Sequence, residues 1–166
     1  MASARGQQKG ILMRRLENKV ALVVGVAKVK ALKIGTSLAF SFESARPGYV
    51  TMLNLGTSGR VWVHVPSALR SPRDARVEAG RRYTVPGPEL FPWPHDYREE
   101  GPGGWEHIVV VVSDQPIIPD DATKALSTDS PLLRLDHAEL ARIVGQMESS
   151  PDSWSAGVLS FLVEAA

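Results

Sequence analysis

Cysteine is absent from all 166 residues, which excludes disulfides, thiolate nucleophiles and cysteine-ligated zinc. Long apolar runs are missing too. The stretch from Val20 to Ala27 falls far short of the ~18 apolar residues that span a bilayer. Lys28, Lys30 and Lys33 follow it, where a secretory signal would place small residues for cleavage. A cytoplasmic protein with no membrane segment is therefore predicted. Acidic residues are scarce before Val85 and basic ones scarce after it. Residues 1–85 carry 15 Lys/Arg against 4 Asp/Glu, a net of +11, and residues 86–166 carry 4 against 14, a net of −10. The whole-chain balance of +1 is thus a cancellation between two oppositely charged halves.

What is present describes a folded module. With 43% hydrophobic and 22% charged residues, the chain has the composition of a globular domain. A chain of this length buries roughly two thirds of its unfolded surface and needs no staple. One domain is predicted over residues 19–166, preceded by a basic segment over residues 1–18. Apolar residues recur in short bursts punctuated by Gly, Pro, Asn and Ser, the pattern of strands joined by turns. Val20 to Val26 reads as a strand, and Leu38, Phe40 and Phe42 alternate on the next. Arg46-Pro47-Gly48 reads as a type II turn that asks Gly48 for a positive φ. Tyr49 to Asn54 and Arg60 to Val65 form a hairpin across a Gly-containing loop. Within it Val61, Val63 and Val65 share the core-facing side, opposite Trp62 and His64.

A short strand is predicted at Arg82 to Val85. Residues 86–105, rich in proline and glycine, read as a long loop. His107 to Val112, with four consecutive valines, suits a strand covered on both faces. Asp136 and Glu139 have the spacing of a capping box and precede apolar residues at helical intervals, predicting a helix over about 137–147. Gly157 and the β-branched and aromatic residues after it favour a closing strand over about 156–164. The sum is a mainly β fold, a β-sandwich of immunoglobulin-like general architecture with one C-terminal α-helix.

Reactive constellations are not evident. His64, His95, His107 and His137 show no HExxH or paired spacing, so no metal or cofactor is expected. His95–Asp96 and Glu106–His107 are sequence neighbours whose side chains diverge on an extended chain. Ser58 lacks the strand-to-helix elbow of a hydrolase nucleophile. Gly101, Gly103 and Gly104 lack the lysine and the following helix of a phosphate loop. Asp114, Asp120 and Asp121 lack the ligand spacing of a calcium loop. No catalytic residue is predicted and the chain reads as a non-enzyme.

Two features point to binding. Arg70, Arg73, Arg76, Arg81 and Arg82 crowd one stretch and, with Trp62, read as a charged surface that faces a protein partner or solvent; joined to the upstream lysines they offer, as the alternative, a nucleic-acid surface on which Trp62 stacks a base. The acidic second half opposes that field. Trp93 stands between Pro92 and Pro94, which fix its ring at little ordering entropy and suit it to anchor a protein partner. The charge asymmetry also makes self-association a candidate.

The stretches GYVTMLNLGTSGRVWVHVP from Gly48, VEAGRRYTVPGP from Val77 and GPGGWEHIVVVVSDQPI from Gly101 resemble the bacterial domain-of-unknown-function family numbered 4384. The similarity covers about residues 19–117. What the resemblance implies is a non-catalytic β-rich module of the kind carried beside caspase-like or trypsin-like peptidases and other effectors in bacterial signalling and defence. No effector domain accompanies it in this sequence, so an adaptor or accessory role toward a separate effector is expected, and no catalytic residue carries over.

Overall fold

The computed structural model describes residues 20–24, 31–95, 97–98 and 102–165. The predicted basic segment 1–18 lies outside them, as do Lys28 and Lys30. Among the described residues twelve strands run in chain order: β1 (Val20–Val24), β2 (Leu32–Lys33), β3 (Ser37–Leu38), β4 (Phe40–Ser44), β5 (Gly48–Leu55), β6 (Val61–Val65), β7 (Arg76–Val77), β8 (Arg82–Val85), β9 (Tyr97–Arg98), β10 (Gly104–Ser113), β11 (Leu133–Leu135) and β12 (Trp154–Glu164). Among the described residues the one α-helix is α1 (His137–Ser149), which a short 3-10 turn (Pro151–Ser153) joins to the last strand. The larger sheet has the order β11-β6-β5-β10-β12-β2, with β7 added beside β5. A three-stranded sheet β1-β4-β8 and a two-stranded pair β3-β9 make up the rest. This is the mainly β, sandwich-like fold with one helix that the residue pattern predicts.

Two apolar layers explain the arrangement. Phe40, Phe42, Tyr83 and Val85 from the smaller sheet pack with Val50, Met52, Ile108, Val110, Val112 and Phe161 from one face of the larger. On its other face Leu53, Val61, Val63 and Val111 pack with Ile117, Ile118, Leu135 and Ile143. β10 contributes to both layers, which is why its valines run without a polar break. Its neighbours are β5 and β12, the latter paired antiparallel from Gly104↔Val163 to Ser113↔Trp154.

The helix forms where its cap says it should. Asp136 Oδ1 accepts from the Glu139 backbone N–H at 2.8 Å, and Glu139 Oε2 accepts from the Asp136 N–H at 2.8 Å, satisfying two N-terminal donors. Ile143 is buried, with Leu140 and Met147 packed beside it. Trp154 Nε1 donates to the Met147 carbonyl at 2.8 Å and ties the helix end to β12.

Two local expectations are corrected. Gly48 opens β5, and the positive-φ glycines among the described residues are Gly35, Gly59, Gly80 and Gly104. Gly48 is required instead by close packing, since a Cβ there would lie 2.5 Å from the Ser113 carbonyl oxygen. The second correction concerns the three valines of β6. Leu53 pairs with Val63 but Met52 with Val65, so the ladder skips His64. That bulge turns the strand over, and Val61 and Val63 enter one apolar layer while Val65 enters the other. His64 is consequently not on an outer face; it is 2% exposed.

Candidate functional site

The chain leaves β8 at Pro86 and returns to pairing at β9. Both β8 and β9 run antiparallel to the continuous stretch formed by β3 and β4, with Phe40↔Val85 and Leu38↔Tyr97 as the facing pairs. The segment between them is an excursion from the sheet, and it closes on itself through reciprocal backbone hydrogen bonds between Gly87 and Phe91. Leu90 and Phe91 plug into the core. Gly87 is needed there because a Cβ would collide with the Thr84 carbonyl. Between the excursion and the β3 edge lies a groove of about 520 Å³, lined by Leu38 and Ala39 on one side and by Pro86, Pro88, Trp93 and His95 on the other.

Aromatic rings form the groove wall. Trp93 is half-buried and stacks on Phe91 with centroids 6.0 Å apart, and the His95 ring meets it edge-on at 5.2 Å. Behind Phe91, the His64 ring stands edge-on at 6.1 Å. Burial lowers the His64 pKa to about 4, because no water solvates an imidazolium there. Among the described residues, none of those lining the groove is Lys, Arg, Asp or Glu.

The five arginines do not form one patch. Arg70 Nη2 donates to the Pro88 carbonyl at 3.3 Å, and Arg81 pairs with Glu89 at 2.6 Å and with Glu78 at 3.6 Å. Arg70 and Arg81 thus brace the excursion that carries Trp93. Arg73 Nε meets Asp120 at 2.5 Å, Arg76 lies 4.8 Å over the Tyr49 ring, and Arg82 faces Glu43 across the β4–β8 ladder. The hydrogen bond and charge of Asp120 raise the Arg73 pKa, and the charge of Glu89 raises that of Arg81. Trp62 is half-buried on β6, between Asn54 and Arg134 in the ladder. Asp114 and Asp120 are arginine partners, and among the described residues no three His, Asp or Glu converge as a metal site requires. The most exposed tryptophan is Trp105, at 56%, whereas Trp93 is the tryptophan with prolines on both sides.

Residues 31–116 match the family described as Domain of unknown function (DUF4384). That span exceeds half the chain. The chain belongs to the DUF4384 family. No curated protein and no solved structure matches it. The span shared with other DUF4384 members begins beside β2 and ends just after β10, so it contains both walls of the Trp93 groove, while α1 and β12 lie beyond it. No helix among the described residues is long and apolar enough to cross a membrane.

Proposed function

We propose that this DUF4384 chain is a non-enzymatic, cytoplasmic protein-interaction module that docks a separate bacterial effector, such as a peptidase, through the groove at Trp93. The observation that carries the reading is the groove itself. It is concave, largely apolar and walled by a ring that prolines and Phe91 hold in place. A pre-set aromatic loses little entropy when a partner covers it, which is what interface anchors require. Arg70 and Arg81 fit the same reading by bracing the wall that carries Trp93.

A pull-down from the native host tests it, using wild type, Trp93→Ala and an Arg73→Glu/Arg76→Glu variant. The Trp93 variant is expected to lose the partner with its circular dichroism unchanged, and the arginine variant to keep it. Recovery of the same proteins by wild type and Trp93→Ala would show that the groove is not the contact. Nucleic-acid binding through Arg70 to Arg82 is the competing reading. The carboxylates on Arg73 and Arg81 weigh against it, and retention on an oligonucleotide column well above ~0.1 M salt would favour it. Homo-oligomerisation through the groove would appear as a Trp93-dependent rise in solution mass.

A further inference from the structure

The apolar layer on the face of the larger sheet turned away from the smaller one is built from two parts of the chain. Leu53, Val61, Val63 and Val111 come from β5, β6 and β10. Ile117, Ile118, Leu135 and Ile143 pack with them, joined by the partly buried Leu140 and Met147. The DUF4384 match ends at residue 116, so the sheet residues lie inside it and these six covering residues lie beyond it. The span shared with the family thus brings an apolar face, and its cover in this chain is supplied from elsewhere.

The α1 part of that cover is lightly held. Ile143 is the one buried residue of the helix, Leu140 and Met147 are half-buried, and the other ten are exposed. The three covering side chains recur at i, i+3 and i+7, a single apolar stripe. One side-chain hydrogen bond, Trp154 Nε1 to the Met147 carbonyl at 2.8 Å, ties the helix to a strand. Among the described residues no salt bridge joins α1 to the rest of the molecule. The thirteen helical residues include Gly145, and the last turn carries Glu148 and no cation, so the helix depends on the face it covers to stay formed. The strands that flank it in the chain, β11 and β12, are held by their own ladders. Opening one such helix costs less than opening a sheet.

We propose that α1 is a removable lid and that the face beneath it is a docking site for an amphipathic helix of a partner protein, with apolar residues at i, i+3 and i+7. The face already holds a helix of this pattern, which is what fixes the chemistry of the occupant. A partner helix that is longer or better capped takes the place of α1 while both sheets stay folded. The site lies on the opposite face of the larger sheet from the core on which Trp93 packs, and it stands or falls independently of the groove.

A fluorescent peptide with the sequence of residues 136–150 is the probe. Arg142→Pro breaks α1 in its middle at an exposed residue whose side-chain bond is to Gln146 of the same helix. The peptide is expected to bind the Arg142→Pro protein at least about tenfold more tightly than wild type, where the tethered helix competes, and an Ile143→Asp peptide to bind neither. Trp154→Phe removes the bond from strand to helix but keeps the ring; it should bind the peptide better than wild type and gives the same reading if Arg142→Pro is insoluble. In wild type, amide exchange corrected for intrinsic rates should be about a hundredfold or more faster in α1 than at Ile108 to Val112 of β10. Failure of both variants to bind the peptide better than wild type, equal binding of the two peptides, or equal protection of α1 and β10 would each overturn the lid. A wild-type dimer that Arg142→Pro abolishes would overturn the partner helix and assign the face to a second copy of the chain.

Discussion

Arg46 and Asp114, 68 positions apart, are joined side chain to side chain, Nη2 donating to Oδ1, while Arg46 Nη1 donates to the Asp152 carbonyl at 3.1 Å. The contact links the turn before β5 to the end of β10 and the start of β12. Arg73–Asp120 and Arg81–Glu89 repeat the theme, each joining the basic half to the acidic half. The charge asymmetry of the sequence is thus partly consumed inside the fold. Arg46→Ala is expected to destabilise the protein by about 1 kcal/mol, and a double-mutant cycle with Asp114→Ala to give a coupling of ~0.5 kcal/mol that shrinks with salt. Urea unfolding at low and high ionic strength measures both, and a coupling of zero at low salt contradicts the pairing.

His64 gives stability a pH dependence with a definite sign. Its folded pKa lies near 4 and the ordinary value is 6.5, so below 6.5 the unfolded chain binds the extra proton. The associated stability is fully present above pH 6.5 and is lost as pH falls towards 4, on the order of 3 kcal/mol in all. His64→Leu should flatten the unfolding free energy over that window relative to wild type. Equal slopes in the two proteins would place the acid sensitivity elsewhere.

Two glycines should respond in opposite directions to alanine. Gly48→Ala drives a methyl into the Ser113 carbonyl on the adjacent strand, where backbone must shift, and a loss of about 2 kcal/mol or more is expected. Gly145 lies within α1 with open space around its Cα, so Gly145→Ala should stabilise by about 0.5–1 kcal/mol. Thermal unfolding of the pair is the check.

Asp136→Ala removes one half of the capping box and should cost about 1 kcal/mol. Asp136→Ser, which keeps an acceptor oxygen, should recover most of it. Identical unfolding midpoints for Asp136→Ala and wild type would mean that tertiary packing alone holds α1.

Much of this architecture was legible because it is written locally. Leu38 on β3 and Phe40 and Phe42 on β4 share the core face that their spacing predicts, the valines of β10 sit between two covered faces, and Asp136 with Glu139 starts α1. What escaped depends on partners distant in sequence. His64 looks outward by alternation, and only the register of β6 against β5 reveals the bulge that buries it. Gly48 looks like a turn glycine, and its real constraint is a carbonyl at position 113. The two-residue strands β2, β3, β7 and β9 and the three-residue β11 are too short to carry any periodicity of their own. Trp93 was visible through its flanking prolines, whereas the Phe91 and His64 rings behind it, and the roles of Arg70 and Arg81 as braces, belong to the folded chain alone.

The placement of β12 bears on folding order. β10 carries four consecutive valines near the centre of the larger sheet, and one of its edges is covered by a strand that begins at Trp154. Until that strand docks, β10 presents an open valine-rich edge, the kind that pairs with other chains. The stretch that defines family membership stops at residue 116 and so keeps β5 but omits β12, the other partner of β10. Expressed alone, residues 31–116 should aggregate or stay molten, and adding a β12 peptide in trans should recover soluble protein.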